Sequence, residues 1–188
     1  MIDTLVQLLP LADGERELRS FALNNGIGPK PFVLVTLHRP SKVDDPEMLA
    51  RLFTALDAVA GHVPVVFLVH PRTRERMKRF VIYGGRVSLS EPLTYIQFLG
   101  LQRHAAVVVT DSGGIQEETT FLGVPCLTMR ENTERPVTVT SGTNQLIGRD
   151  TLVLKREVEA ILAGRRKTGG SPELGDGQAA QRIAAVLA

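Results

Sequence analysis

Ala105-Ala106-Val107-Val108-Val109-Thr110-Asp111-Ser112-Gly113-Gly114-Ile115-Gln116-Glu117-Glu118 is the stretch that decides the fold. Ala105 to Thr110 is apolar and β-branched, which suits a buried strand. Asp111 to Gly114 is a polar turn with two glycines, and a helical pattern runs from Gly113 to about Leu122. The same strand–turn–helix unit recurs on both sides. Upstream, Phe32 to Leu37 and Val65 to Val69 read as strands, with Arg86 to Leu89 a weaker third. Asp44-Asp45-Pro46 starts a helix with a capping Asp and a first-turn proline, and Leu49, Leu52, Phe53 and Leu56 follow at helical spacing. Arg72 to Phe80 and the stretch containing Tyr95, Phe98, Leu99 and Leu101 are further helices. Downstream, Pro125 to Met129 and Gln145 to Ile147 are strands, and Lys155 to Ala163 and Gly177 to Leu187 are helices. Continuous apolar strands alternating with helices imply a mostly parallel sheet covered on both faces. The expected fold class is therefore α/β, an open doubly wound sheet. No repeat of fixed period is present, which argues against a solenoid.

The 188 residues suit one domain, 1–188. Residues 1–31 read as an N-terminal helix and linker region, with a helical stretch at Ile2 to Leu9, and 176–188 as the C-terminal helix. An α/β domain commonly opens with a strand, so the true beginning is expected to lie upstream. One cysteine cannot form an intramolecular disulfide, which fits a reducing compartment and a cytoplasmic location. The apolar run Val63 to Val69 contains a proline and is far shorter than the roughly 20 residues of a membrane helix. The start, Met1-Ile2-Asp3-Thr4-Leu5, has no basic region or cleavage signal, so no secretory peptide is expected. The formal charge of +2 neither demands nor excludes a polyanionic partner, and zero Trp and two Tyr give few faces for stacking bases.

Ligands of open parallel sheets bind beyond the carboxyl ends of the strands. That edge collects His38, Arg39 and Pro40, then His70, Pro71 and Arg72, then Asp111 to Gly114, then Arg130 to Arg135. At Ser112-Gly113-Gly114, glycines permit close approach, and free N–H groups with the positive end of the helix dipole favour a phosphate. The competing explanation is an ordinary Asp or Ser cap. Glu118, four residues past Gly114, returns to the face of the turn and can accept from two vicinal hydroxyls, as in a ribose. Favourable charge–dipole placement explains it equally. Arg135 can bind a phosphate bidentately or simply be solvated. His38 can act as an acid, a base or a phosphate contact; His70 can merely close a strand. A metal site of His38, His70 and Asp111 lacks tight ligand spacing, so no metal is expected. Arg72 to Arg79 carries five basic residues, but a solvated helix face explains them better than a nucleic-acid backbone does. Cys126 reads as core.

Thr36-Leu37-His38-Arg39, Val43-Asp44-Asp45-Pro46, Val69-His70-Pro71-Arg72-Thr73, Asp111-Ser112-Gly113-Gly114-Ile115-Gln116-Glu117-Glu118, Thr133-Glu134-Arg135-Pro136 and Gly175-Asp176-Gly177 follow one known order. The chain resembles, almost end to end, the C-terminal half of the non-hydrolysing UDP-N-acetylglucosamine 2-epimerases. The resemblance implies a glycosyltransferase-B architecture of two Rossmann-like domains with the active site between them. It also implies interconversion of UDP-N-acetylglucosamine and UDP-N-acetylmannosamine. The C2 proton is removed, UDP is eliminated, and UDP adds back with the opposite C2 configuration, without nicotinamide or an obligatory metal. By the family pattern, Ser112, Gly113 and Gly114 contact the diphosphate, Glu118 the ribose hydroxyls, and the backbone around Phe98 the uracil. Arg135 and His38 face the diphosphate, and Arg39 and His70 complete the substrate-binding set. His38 is the catalytic candidate on this chain; the main proton-handling acids are expected on an absent N-terminal domain.

Two departures stand out. Where the family often reads H-R-x-E-N, this chain has His38-Arg39-Pro40-Ser41-Lys42, and Val137 stands where an acidic residue is usual. The family also runs to about twice this length, so the resemblance predicts a UDP-binding half that is inactive alone. The alternatives are the donor domain of a UDP-sugar glycosyltransferase and a non-catalytic nucleotide-binding module pairing with a separate N-terminal partner. A nucleic-acid or membrane partner is not expected.

Overall fold

The computed structural model describes residues 1–12, 15–27 and 31–187. Six strands form one sheet: β1 Val33–Thr36, β2 Val65–Leu68, β3 Ser88–Ser90, β4 Val107–Thr110, β5 Cys126–Thr128 and β6 Asn144–Leu146. Their order is β3-β2-β1-β4-β5-β6, with every pairing parallel. Two halves thus meet at β1 and β4, where the winding reverses; this is the Rossmann-like, doubly wound order that the alternating pattern implied. The third strand lies slightly later than Arg86 to Leu89, and the sixth begins one residue before Gln145.

Successive side chains of a strand point to opposite faces, so an all-apolar strand needs cover on both. Val33, Val35, Val65 and Phe67 pack against α4 (Pro46–Ala60), α5 (Pro71–Phe80) and α9 (Thr151–Leu162). Phe32, Leu34, Val66 and Val108 pack against α2 (Glu15–Asn24), α6 (Tyr95–His104) and α7 (Gly113–Leu122). Outside α6 lies α1 (Ile2–Ala12), whose Leu5 and Ala12 bury against Leu99. The expected N-terminal linker region therefore holds two helices, and the first is part of a core. Residues 13, 14 and 28–30 of that region lie outside the described residues. The last helix, α10, spans Ala179–Leu187.

Asp45 caps α4 as expected, accepting from the N–H groups of Glu47 (3.0 Å) and Met48 (3.2 Å), with Pro46 behind it. Two one-turn helices were not anticipated, α3 (Pro40–Val43) and α8 (Pro136–Thr140). Each begins on a proline whose fixed φ suits a first helical position.

Candidate functional site

The register of the central pair builds the site. Thr36 lies opposite Thr110, so the chain leaving β1 runs beside the chain leaving β4. Asp111 has no exposed surface. Its carboxylate accepts from the backbone N–H groups of His38 (3.1 Å) and Arg39 (2.9 Å), and lies 3.1 Å from His38 Nδ1. Its carbonyl accepts from Arg39 Nε (2.9 Å). The Asp111 hydrogen bond raises the His38 pKa against the opposing effect of burial. Burial pushes the Asp111 pKa up, but His38 and the N–H groups outweigh it and the carboxyl ends below its ordinary value. The pair fixes the His38 ring with Nδ1 toward Asp111, which leaves its other nitrogen free of that contact.

Neither expected side chain caps α7. Ser112 occupies the N-cap position without a side-chain hydrogen bond to the helix, and Asp111 serves β1 instead. The first N–H groups of α7 thus lack a side-chain cap, which removes the ordinary-cap explanation. Cations surround that turn. Arg130 Nη2 lies 2.6 Å from Glu134 Oε2, Arg39 Nη2 lies 3.8 Å from Glu134 Oε1, and Arg135 Nε lies 3.2 Å from Glu117 Oε1. A Cβ at Gly113 would stand 2.5 Å from Glu134 Oε1, so glycine leaves the room that this carboxylate uses.

A buried polar network holds the turn against the loop after β5. Gln116 Nε2 donates to the Ser112 carbonyl (3.2 Å), while Gln116 Oε1 accepts from Thr133 Oγ1 (2.6 Å) and Asn144 Nδ2 (3.1 Å). Thr133 Oγ1 accepts in turn from the Arg135 N–H (2.9 Å). Gln116, Thr133 and Asn144 all find partners here, which fixes the backbone at Arg135.

One turn into α7, Glu118 is 5% exposed, and Tyr95 Oη donates to its Oε1 at 2.9 Å. Burial raises the Glu118 pKa, and the Tyr95 hydrogen bond pulls it partly back. The Tyr95 hydroxyl is pushed up by burial and by Glu118. Beside this helix, Leu68, Pro92, Leu93, Phe98 and Ile115 line a crevice of about 170 Å³ together with Thr36, His38 and His70. It is mostly apolar, with a few polar groups, and suits a flat ring.

All the singled-out residues gather at the carboxyl edge of the sheet, but in two groups. His38, His70 and Phe98 line the crevice, with the His38 and His70 rings 5.9 Å apart. Arg39, Ser112, Gly113, Gly114 and Arg135 belong to the turn side, and Glu118 lies one turn along α7. His70 also caps α5, its Nδ1 accepting from the Arg72 N–H (3.2 Å). The basic run on α5 is largely paired: Arg72 and Arg76 with Asp44, and Arg74 with Glu91. The sequence places Arg130 on this edge without giving it a role, and it does not single out Asp111 as a buried acceptor or Tyr95 and Gln116 as site residues. The available signal was a polar letter inside each functional string: Gln116 sits four residues after Ser112, and Arg130 closes an apolar strand. Among the described residues no group of three or more His, Cys, Asp or Glu is placed to hold a metal ion.

A doubly wound sheet with an uncapped glycine turn, flanking arginines and a buried carboxylate one turn on defines a nucleotide-binding class of domain. The family model described as UDP-N-acetylglucosamine 2-epimerase matches residues 1–188, and the chain belongs to that family. A UDP-N-acetylglucosamine 2-epimerase of Methanocaldococcus jannaschii is 34% identical over 194 aligned positions, covering 100% of this chain and 52% of the relative. A UDP-2,3-diacetamido-2,3-dideoxy-D-glucuronate 2-epimerase of Pseudomonas aeruginosa is 39% identical over 160, covering 84% of this chain and 44% of that protein. A crystal structure of the M. jannaschii UDP-GlcNAc 2-epimerase in complex with UDP-GlcNAc and UDP superposes with a TM-score of 0.82 at 33% identity, covering 99% of this chain and 52% of that one. The chain thus spans about half the length of the curated relatives it matches.

Proposed function

We propose that this chain is the UDP-holding half of a UDP-N-acetylglucosamine 2-epimerase. The observation that carries the reading is the uncapped N-terminus of α7, set between Arg39, Arg130 and Arg135 with Glu118 one turn beyond it. The α7 N–H groups and Arg135 take the diphosphate, Glu118 accepts from the ribose hydroxyls, and the crevice beside Phe98 takes the uracil. When the C2 proton leaves and the bond from C1 to the diphosphate oxygen breaks, negative charge grows on that oxygen. Fixed N–H groups and guanidinium cations already aimed there stabilise it without reorganisation. His38, held by Asp111 at Nδ1, offers its other nitrogen as a donor to the departing phosphate. UDP stays bound while a proton is returned to C2 from the opposite face and the bond from C1 to the diphosphate oxygen re-forms.

The acids that move the C2 proton belong to an N-terminal domain outside this chain, as in the two-domain architecture of the family. The reading needs no nicotinamide and no metal, and it takes a UDP-N-acetylhexosamine as the ligand. The single buried cysteine fits a cytoplasmic setting. No helix among the described residues is long and apolar enough to cross a membrane.

Calorimetric titration with UDP tests the site. The chain is expected to bind one UDP, and Glu118→Ala to weaken binding by roughly tenfold or more, the cost of losing hydrogen bonds to a charged acceptor. The chain alone is expected to form no UDP-N-acetylmannosamine. No heat with the unaltered chain, or equal affinity in the variant, would count against the site; turnover by the chain alone would count against the division of labour.

A further inference from the structure

Glu134 presses on the turn that the reading above assigns to phosphate. Its Oε1 lies 2.5 Å from where a Cβ on Gly113 would stand, its Oε2 lies 2.6 Å from Arg130 Nη2, and its Oε1 lies 3.8 Å from Arg39 Nη2. The Arg130 hydrogen bond holds its carboxyl at about 2, so it is an anion at any ordinary pH. Arg130 is only half used by this contact. Its side chain is 11% exposed, and its Nη1 is buried without a hydrogen-bond partner. A buried guanidinium nitrogen with nothing to donate to is costly, and a phosphate, with more oxygens than a carboxylate, can engage both edges of the fork. The Glu134 side chain is 48% exposed, so it has an outward route.

We propose that Glu134 is a resident anion that occupies the diphosphate site and is displaced by the ligand. In the free protein it neutralises Arg130 and anchors Arg39 beside the turn. Two anions cannot share that space, so an entering diphosphate drives Glu134 outward and takes over both arginines. Glu134 then sets the threshold for binding: only a ligand carrying enough negative charge replaces it. This rests on the UDP reading, and the competing explanation is that Glu134 orients Arg130 permanently for the ligand.

The test is to titrate UDP and uridine into the unaltered chain, Glu134→Gln and Glu134→Ala, with circular dichroism as the check on folding. Uridine carries no phosphate and displaces nothing. UDP is expected to bind both variants about two- to fivefold more tightly, the scale of one exposed charge interaction, with uridine unchanged within about twofold on the same scale. UDP binding that weakens, or stays the same, in the folded variants overturns the proposal while leaving the UDP site intact. Failure of the unaltered chain to bind UDP overturns both. If one variant does not fold, the other still decides the sign.

Discussion

Asp111 shows most clearly how a single residue organises this site. A carboxylate with no exposed surface needs several donors, and it has them in two backbone N–H groups and the His38 ring. The consequence for stability has a definite sign. The His38 pKa is raised above 6.5, so its contribution is complete below that value and is lost as pH rises through the raised value. The Asp111 pKa lies below 3.8, so its contribution is complete above that value and is lost as pH falls through the lowered one. Asp111→Asn should therefore cost most stability between about pH 4 and 6.5, and less above that window, with a remainder from the backbone donors. Urea unfolding of both proteins across pH 4 to 8 reads this difference; a gap that stays constant with pH would mean that His38 is not its partner. The sequence shows His38, Arg39 and Asp111 on one edge, because strand ends are legible. It does not show that Asp111 faces β1 rather than its own helix, because that depends on the parallel register of β1 with β4. Tyr95 is hidden for a similar reason: its contact with Glu118 joins α6 to α7 across 23 residues.

Elements were legible where burial dictates composition. β1, β2 and β4 are covered on both faces and read as unbroken apolar runs. β3 and β6 lie at the edges of the sheet, carry Ser, Asn and Gln, and were placed less accurately. α3 and α8 are single turns, too short for any apolar period to show. The central strands hold the site in place, since Asp111 and His38 follow directly on β4 and β1. Phe67 in β2 is fully buried and stacks on Phe53 of α4 with ring centres 5.6 Å apart. Phe67→Ala should cost about 3–5 kcal/mol, the transfer term plus the cavity left behind. Chemical denaturation measures it; a loss under about 1 kcal/mol would show that the core closes over the gap.

At the scale of the whole molecule, the chain matches its family from end to end and yet spans about half of each relative. On the proposed function, this half contributes the groups of the ligand edge that take the diphosphate and the ribose hydroxyls. On this reading, the proton-handling acids belong to the part of the protein outside the chain. The string at Asp111 to Glu118 and the string at Thr133 to Pro136 meet in the interior, where Thr133 Oγ1 donates to Gln116 and accepts from the Arg135 N–H, so each positions the other. The claim that these strings form one UDP site is tested most directly by amide chemical shifts of the isotopically labelled chain during addition of UDP. The largest changes are expected at Ser112, Gly113, Gly114 and Ile115, with further changes around Phe98 and Arg135. No change at saturating UDP, or changes confined to a distant surface such as that around Val81 and Tyr83, would contradict it.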